Sequence, residues 1–184
     1  MVKKRLFVAF DVPEPVIKHI QSLQHALAAH HLFEGRLTKP EHMHLTLKFI
    51  GEVDEATHQR VQEKLRSIVF PSLQACLGKL GMFSVKGHPS IIWVSLEGEG
   101  IAPLERAIEE VLGDLVPHEA REFVSHLTIA RVKSVPDIPK LQQYLEQAVV
   151  LCQPFTIAEF VLKDSVLSDE GPYYTVRERY ALTA

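Results

Sequence analysis

The sequence lacks any long hydrophobic run. No apolar stretch in its 184 residues approaches the roughly 18–20 residues needed to cross a bilayer. The basic start, residues 1–5, is followed by a short apolar stretch that ends at Asp11 without a small-residue cleavage site, which argues against a signal peptide. With 46% hydrophobic and 23% charged residues, the chain has the composition of one folded domain. We therefore expect a folded cytoplasmic protein with no membrane partner.

Cysteine is scarce. Cys76 and Cys152 are the two cysteines, and neither belongs to a CxxC or another metal-ligand spacing. We expect them to be buried thiols rather than a disulfide, in agreement with a reducing cytoplasm.

An excess of positive charge is also missing, since 20 Lys and Arg face 23 Asp and Glu for a formal net charge of −3. Proteins that grip long nucleic acids through many phosphates usually carry a basic excess. If this protein handles RNA, we expect it to act on an end or a short fragment.

The pattern of strands and helices indicates two related halves, about 1–86 and 87–184, within one bilobal domain. Apolar residues 5–10 predict a buried strand, and residues 91–96 repeat it at an offset of 86. Helical faces follow in both halves, and Asp54 and Asp137 lie where the later helices should begin. The members of the first three helical faces are Val16, Ile20, Leu23 and Leu27; Val61, Leu65 and Ile68; and Leu104, Ile108, Val111 and Leu115.

Further strands are predicted over 44–50, 73–85, 125–132, 155–166 and 173–182, with a turn at 168–172. A fourth helix follows Asp137, with Leu141, Leu145 and Ala148 facing inward. Trp93 is expected in the core. Alternating strands and helices would by default suggest a parallel sheet.

One tetrapeptide recurs in the two halves. His44-Leu45-Thr46-Leu47 and His126-Leu127-Thr128-Ile129 are each His-apolar-Thr-apolar, 82 residues apart. Because side chains alternate between the faces of a strand, each His shares a face with its Thr, and the apolar residues, Phe49 included, lie opposite. If the halves pair about an approximate two-fold axis, both polar faces line one cleft.

Two imidazoles and two hydroxyls suit in-line displacement at phosphorus. A neutral His takes the proton of the attacking water, and a protonated His donates to the leaving oxygen. An unperturbed pKa of about 6.5 lets both forms exist near neutrality. The threonine hydroxyls can donate to the non-bridging phosphoryl oxygens.

These residues resemble the 2H phosphoesterase superfamily, and more closely the bacterial and archaeal RNA 2′,3′-cyclic phosphodiesterases, also described as 2′-5′ RNA ligases. The similarity covers nearly the whole chain: residues 5–13 resemble the opening of the family, and residues 44–51 and 126–132 resemble its two HXTX signatures. Ser165, Leu167, Gly171-Pro172 and Tyr174-Thr175-Val176 resemble its C-terminal hairpin.

The resemblance implies an α+β bilobal fold, with two antiparallel sheets around a central cleft and helices outside, which overrules the parallel default. It implies hydrolysis of RNA 2′,3′-cyclic phosphate ends, tRNA fragments among them, to 2′-phosphates, and the reverse 2′-5′ ligation. His44 would be the proton donor and His126 the acceptor. The resemblance implies no metal or cofactor, and we expect a monomer.

Two further side chains are candidates for the cleft. Arg131 is a phosphate contact by resemblance, although strict alternation would put it on the face away from His126 unless the strand is bulged. Lys48 follows His44 by four residues, so strict alternation puts both on the same face of the strand. It is either a cleft residue or a solvated lysine at the end of the strand. Residues 36–43 lack a Trp or a second Pro that many relatives carry, and residues 123–125 lack a Pro. These departures affect expected substrate preference more than catalysis.

Two other functions remain open. His42 and His44 could share a strand face as metal ligands, with Glu41 and Asp54 as nearby carboxylates, but no recognised spacing joins them. A non-catalytic nucleotide-binding module on the same fold is the other alternative.

Overall fold

Residues 3–118, 121–168 and 171–183 are described by a computed structural model. Within them the chain forms nine strands and four α-helices, so the predicted α+β class is confirmed. In chain order the elements are β1 (Lys4–Asp11), α1 (Glu14–Ala29), β2 (Glu34–Leu37), β3 (His44–Val53), α2 (Glu55–Arg66), β4 (Leu73–Val85), β5 (His88–Glu97), α3 (Ile101–Leu112), β6 (His126–Ser134), α4 (Ile138–Gln147), β7 (Phe155–Ile157), β8 (Glu159–Ser168) and β9 (Gly171–Ala181). A 3₁₀ turn at Pro40–His42 precedes β3.

Every ladder between the described strands is antiparallel. The strand order is β7-β4-β5-β6-β3-β1-β8-β9, and β2 pairs with β6. A single residue pair, Leu45 with Leu127, joins β3 to β6 at the centre. The two predicted sheets therefore meet at this pair.

The two halves of the chain exchange strands. β4 belongs to the first half of the sequence but pairs with β5 of the second half. β8 and β9 belong to the second half of the sequence, yet β8 pairs with β1 and β9 with β8. Each side of the sheet therefore contains strands from both halves of the chain.

The helices cover one face of the sheet, and the main core lies between them. Leu45, Leu127 and Ile129 point into this core and are fully buried. Val16, Ile20 and Leu27 of α1 are buried as predicted. The opposite face of the sheet has a small cluster of its own, formed by Phe7, Ala9 and Val161 with Tyr174 and Val176 packed against it.

The predicted starts of two helices are confirmed. The Asp54 side chain accepts a hydrogen bond from the Thr57 backbone N–H at 2.8 Å, and the Asp137 side chain accepts one from Lys140 at 3.0 Å. These caps satisfy backbone donors that a helix start leaves without partners. Of the predicted 168–172 turn, Asp169 and Glu170 lie outside the described residues, as does the Leu167 side chain.

The prediction of two free thiols is wrong. Cys76 and Cys152 form a disulfide across a sequence separation of 76, with their Cα atoms 5.1 Å apart. β7 pairs with β4 in a register that sets Phe155 opposite Ala75, and this pairing brings the segment before β7 next to Cys76. Sequence spacing does not reveal such a long-range contact.

Strand β2 was not predicted. All four of its residues are exposed, so it has none of the apolar alternation that marks a half-buried strand. Its pairing with β6 alone defines it. Among the described helices, none is long and apolar enough to cross a membrane.

Candidate active site

The two repeated tetrapeptides lie side by side at the centre of the sheet. His44 is the first residue of β3, and His126 is the first residue of β6. Because Leu45 pairs with Leu127 in antiparallel register, His44 is level with Thr128, and Thr46 is level with His126. Both leucines point into the helix-covered core, so the two histidines and two threonines share the opposite face. We call this surface the cleft face.

A bulge follows the threonine in each strand. Thr46 pairs with Ala9 and Lys48 with Val8, which leaves Leu47 without a partner. In the same way Thr128 pairs with Trp93 and Ala130 with Ile92, which leaves Ile129 unpaired. Each bulge puts two consecutive residues on the core side and shifts the alternation after it.

The bulge at Ile129 decides where Arg131 lies. Ile129 and Ala130 are both fully buried, and Arg131, the next residue, is exposed on the cleft face. Strict alternation would put Arg131 on the face away from His126, and the bulge at Ile129 brings it to the same face. The equivalent bulge at Leu47 leaves Phe49 58% exposed, so the expectation that Phe49 faces the core is wrong.

Lys48 is neither a cleft residue nor a solvated one, and both expectations for it are wrong. Its side chain is 2% exposed, and its Nζ lies 2.5 Å from a carboxylate oxygen of Glu109 on α3. The same Nζ donates to the Pro117 carbonyl at 3.0 Å. The bulge turns Lys48 toward the helices, where its charge is paired.

His44 lies among aromatic rings. The centroid of its imidazole is 5.0 Å from the ring of Phe7 and 5.0 Å from that of Tyr174, which stands perpendicular to it. Burial, with a smaller contribution from the nearby Lys163 ammonium, lowers the pKa of His44 from 6.5 to about 4. Asp11 acts in the opposite direction but does not cancel these effects. His44 is therefore neutral at pH 7 in the free protein.

His126 is held by a backbone contact. Its Nδ1 lies 2.6 Å from the Val124 carbonyl oxygen, which as an acceptor selects the tautomer with the proton on Nδ1. Nε2 is then the nitrogen that can accept or deliver a proton. Burial lowers the pKa of His126, and the Val124 carbonyl opposes that change.

Trp93 lies on the cleft face and not in the core, which corrects the prediction made for it. It is the register partner of Thr128, and its ring is 5.4 Å from Phe83 and 6.3 Å from His126. Gly81 permits this position, because a Cβ there would come within 2.3 Å of the indole ring. Phe83 in turn packs edge-on against His126 at 4.8 Å.

Two cleft residues were not given a role from the sequence. Tyr174 on β9 contacts the rings of both His42 and His44, at 5.2 and 5.0 Å. Lys163 on β8 is buried and forms an ion pair with Asp11, the register partner of His44. Tyr174 stood within a motif of the C-terminal hairpin, but no local pattern brings β8 and β9 to the first histidine.

The metal site suggested for His42 and His44 would need at least one further ligand. The described part of the chain contains no group of three or more His, Cys, Asp or Glu side chains that could hold a metal ion. His42 packs against Tyr174. The donor set that a metal site needs is therefore not assembled by the residues suggested from the sequence.

The arrangement can move two protons across one small anionic group. Two imidazoles of lowered pKa stand on one face with a hydroxyl level with each of them. Arg131 adds a cation on the same face. This set suits a phosphodiester at which one bond to oxygen forms while another breaks.

Comparisons with known proteins agree with this chemistry. Residues 10–93 match a family model described as LigT like Phosphoesterase. The chain is 30% identical over 175 residues to an RNA 2′,3′-cyclic phosphodiesterase of Archaeoglobus fulgidus, covering 92% of this chain and 96% of that protein. It is 31% identical over 178 residues to one of Methanocaldococcus jannaschii, covering 94% and 97%. A crystal structure of a Thermus thermophilus protein superposes with a TM-score of 0.82 at 25% identity, over 97% of both chains.

Proposed function

The chain belongs to the LigT-like phosphoesterases of the 2H phosphoesterase superfamily, and we propose that it is an RNA 2′,3′-cyclic phosphodiesterase that uses His44 and His126 as its acid–base pair. The observation that carries this proposal is the pairing of Leu45 with Leu127. That pair sets the two HXTX tetrapeptides antiparallel and adjacent, so both histidines lie on the cleft face.

The reaction opens the cyclic ester at its 3′ side. Water forms a new bond to phosphorus, and the bond from phosphorus to O3′ breaks. One imidazole removes a proton from the water, and the other gives a proton to O3′, so the products are a 2′-phosphate and a 3′-hydroxyl. Each of these proton transfers typically contributes about 10²–10⁴ to the rate.

Thr46, Thr128 and Arg131 bind the phosphate. Each threonine is level with the histidine of the other strand, which lets its hydroxyl donate to a non-bridging oxygen beside the reacting bond. The Arg131 guanidinium lies on the same face, and it supplies a charge that balances the phosphate.

His44 is assigned as the proton donor and His126 as the acceptor, as the family resemblance implies. A donor must be protonated, but burial and Lys163 hold the pKa of His44 near 4 in the free protein. Protonation of His44 therefore has to accompany binding of the substrate, because the anionic phosphodiester raises the pKa of an adjacent imidazole.

The same site can also join two RNA ends, with O3′ again as the leaving group. A 5′-hydroxyl of a second RNA takes the place of water, and the resulting linkage is 2′-5′. The proposed partners are RNA ends or short oligoribonucleotides with a 2′,3′-cyclic phosphate, tRNA fragments included. We propose that the protein acts in the cytoplasm as a monomer, although the Cys76–Cys152 disulfide is unusual in a reducing compartment. The proposed site is complete within one chain.

The function is tested with an oligoribonucleotide that ends in a 2′,3′-cyclic phosphate, incubated with the protein in excess EDTA. We expect a mass gain of one water and a product that resists a 3′-specific phosphatase. The variants His44→Ala and His126→Ala should each lose at least about 10²-fold in turnover, whereas His19→Ala on α1 should not change it.

The outcomes separate the alternatives. Turnover that needs a divalent ion would favour the metal site at His42 and His44 over the two-histidine mechanism. Tight binding of the oligonucleotide with no turnover under either condition would favour the non-catalytic binding module.

The roles of the two histidines are distinguished by a substrate whose 3′ oxygen is replaced by sulfur. A thiolate leaves without a proton, so the donor becomes dispensable while the base does not. We expect this substrate to restore turnover in His44→Ala and not in His126→Ala. The opposite pattern would exchange the two roles.

A further inference from the structure

Two arginines lie opposite each other at one end of the cleft face. β2 pairs with the outer part of β6, and in that register Arg36 is the partner of Arg131. Partners in an antiparallel pair point to the same face, so Arg36 lies on the cleft face as Arg131 does. Both side chains are exposed.

The two charges have no anionic partner among residues 3–118, 121–168 and 171–183. Among the described residues, Arg60, Arg66, Arg177 and Arg179 each form an ion pair with a carboxylate, and Arg5 and Arg106 do not. Arg36 and Arg131 differ from all of these because they are strand partners of each other. Like charges directly opposite each other destabilise a strand pair. Two facing arginines without a carboxylate partner, in a chain of net charge −3, indicate a surface that binds an anion.

Arg131 lies beyond Thr128 on β6, and Arg36 lies beside it on β2. Arg131 follows Thr128 by three residues, roughly 10 Å at the rise of a β-strand. It is close enough to Tyr174, which touches His44, for its charge to lower the pKa of the Tyr174 phenol against the upward effect of burial. The long Arg131 side chain can therefore reach the phosphate at the histidines, and Arg36, on the neighbouring strand β2, is the next cation on the cleft face.

The position of Arg36 is held by buried hydrogen bonds. The carbonyl of the bulged residue Ile129 accepts from the Thr38 backbone N–H at 2.9 Å and from the Gln24 side-chain amide at 2.8 Å. The same Gln24 amide donates to the Thr38 carbonyl at 2.8 Å, and Gln24 is only 4% exposed. Helix α1 thus fixes the end of β2 against the bulge that exposes Arg131.

We propose that Arg36, beside Arg131, provides a second anion site, which binds the phosphodiester linkage preceding the terminal nucleotide of the RNA. This inference rests on the proposed function. Arginine suits the site, because its planar guanidinium forms paired hydrogen bonds to phosphate oxygens. The site makes the protein prefer the end of an oligonucleotide over a cyclic mononucleotide.

The experiment compares three substrates: adenosine 2′,3′-cyclic phosphate, the dinucleotide ApA with a 2′,3′-cyclic phosphate, and the same dinucleotide with an uncharged methylphosphonate linkage. For the unaltered protein we expect kcat/KM for the charged dinucleotide to exceed that for the methylphosphonate by about tenfold, the effect of one charge-assisted contact. Arg36→Gln should abolish this preference, and Arg36→Lys should keep part of it.

Arg106→Gln is the matched control, since Arg106 is an exposed arginine on α3, away from the cleft face, and should leave the preference intact. The melting temperature of Arg36→Gln should equal or exceed that of the unaltered protein, because the substitution removes a like-charge contact. Equal preference in the unaltered protein and Arg36→Gln, or no preference in either, would overturn the inference while hydrolysis itself stands.

A binding measurement separates this inference from the proposed function. The ApA dinucleotide with a terminal 2′-phosphate is titrated into each protein by calorimetry, with its methylphosphonate form as reference. A preference for the charged linkage that depends on Arg36, in a protein that turns over no cyclic phosphate, would support the second anion site and overturn the proposed function alone. No such preference would overturn the second anion site.

Discussion

At the scale of single residues, the site depends on two bulged positions, Leu47 and Ile129. Without the bulge at Ile129, Arg131 would point among the helices and its guanidinium would be buried. Without the bulge at Leu47, Lys48 would leave Glu109 and Phe49 would enter the core. Each one-residue bulge thus determines which of the side chains after the HXTX tetrapeptide face the cleft and which face the core.

The burial of His44 predicts a loss of stability in acid. In the unfolded chain His44 takes up a proton near pH 6.5, whereas the folded chain does so only near pH 4. The unfolded state binds more protons between these values, so the free energy of unfolding falls as the pH is lowered from 6.5 to 4. Over this pH range, the titration of His44 lowers the free energy of unfolding by up to about 3 kcal/mol.

Urea unfolding at a series of pH values measures this effect. Between pH 6.5 and pH 4, we expect the unaltered protein to lose more stability than His44→Gln does. The difference should be up to about 3 kcal/mol. Parallel curves for the two proteins would show that His44 titrates normally when folded.

At the scale of elements, the disulfide connects β4 to the segment that precedes β7. Cys76 lies on β4, and Cys152 is an exposed residue between α4 and β7. β7 is only three residues long, and β4 is its partner strand. The covalent bond therefore secures the edge of the sheet at its shortest strand.

Loss of the disulfide should lower stability. Closing a loop that spans 76 residues of sequence removes entropy from the unfolded chain, and such a bond typically contributes about 2–4 kcal/mol. We expect Cys152→Ser to unfold at lower denaturant concentration than the oxidised protein. Added reductant should shift the oxidised protein to the midpoint of the variant and leave the variant itself unmoved; equal midpoints throughout would contradict a stabilising bond.

The short strand β2 contributes to the cleft through its pairing with β6. It contributes no buried residue, yet it carries Arg36 to Arg131 across the edge of β6. Its location follows from hydrogen bonds to β6 and α1 and not from burial of its own side chains.

At the scale of the whole molecule, the exchange of strands makes the two halves of the chain interdependent. β4 would leave its partner β5 if the chain were divided at residue 86, and β1 would lose β8. We therefore propose that residues 1–184 form a single folding domain, although the sequence has an internal repeat.

Separate expression of residues 1–86 and 87–184 tests this. We expect neither fragment to show a cooperative urea transition by circular dichroism, while the whole chain unfolds in one transition. The whole chain in reductant is the control for the disulfide that joins the halves. Cooperative unfolding of either fragment would show that the repeat is also a domain boundary.

Several features of the fold and the site follow from local sequence. Asp54 and Asp137 begin helices because a carboxylate can cap the backbone of the next residues. His44 shares a face with Thr46, and His126 with Thr128, because side chains two residues apart lie on the same side of a strand where no bulge intervenes. The family signatures that carry the function lie within such short segments.

Other features were decided only by tertiary structure. The partner of a strand, the residue that bulges and the cysteine that meets another cysteine depend on contacts between distant segments, which period-2 and period-3.6 patterns do not record. Lys48, Trp93 and the two cysteines were misassigned for this reason. The sequence by itself determined which residues can perform the chemistry, and the pairing of β2, β3 and β6 determined which of them meet, because strand register is set by hydrogen bonds between segments far apart in the chain.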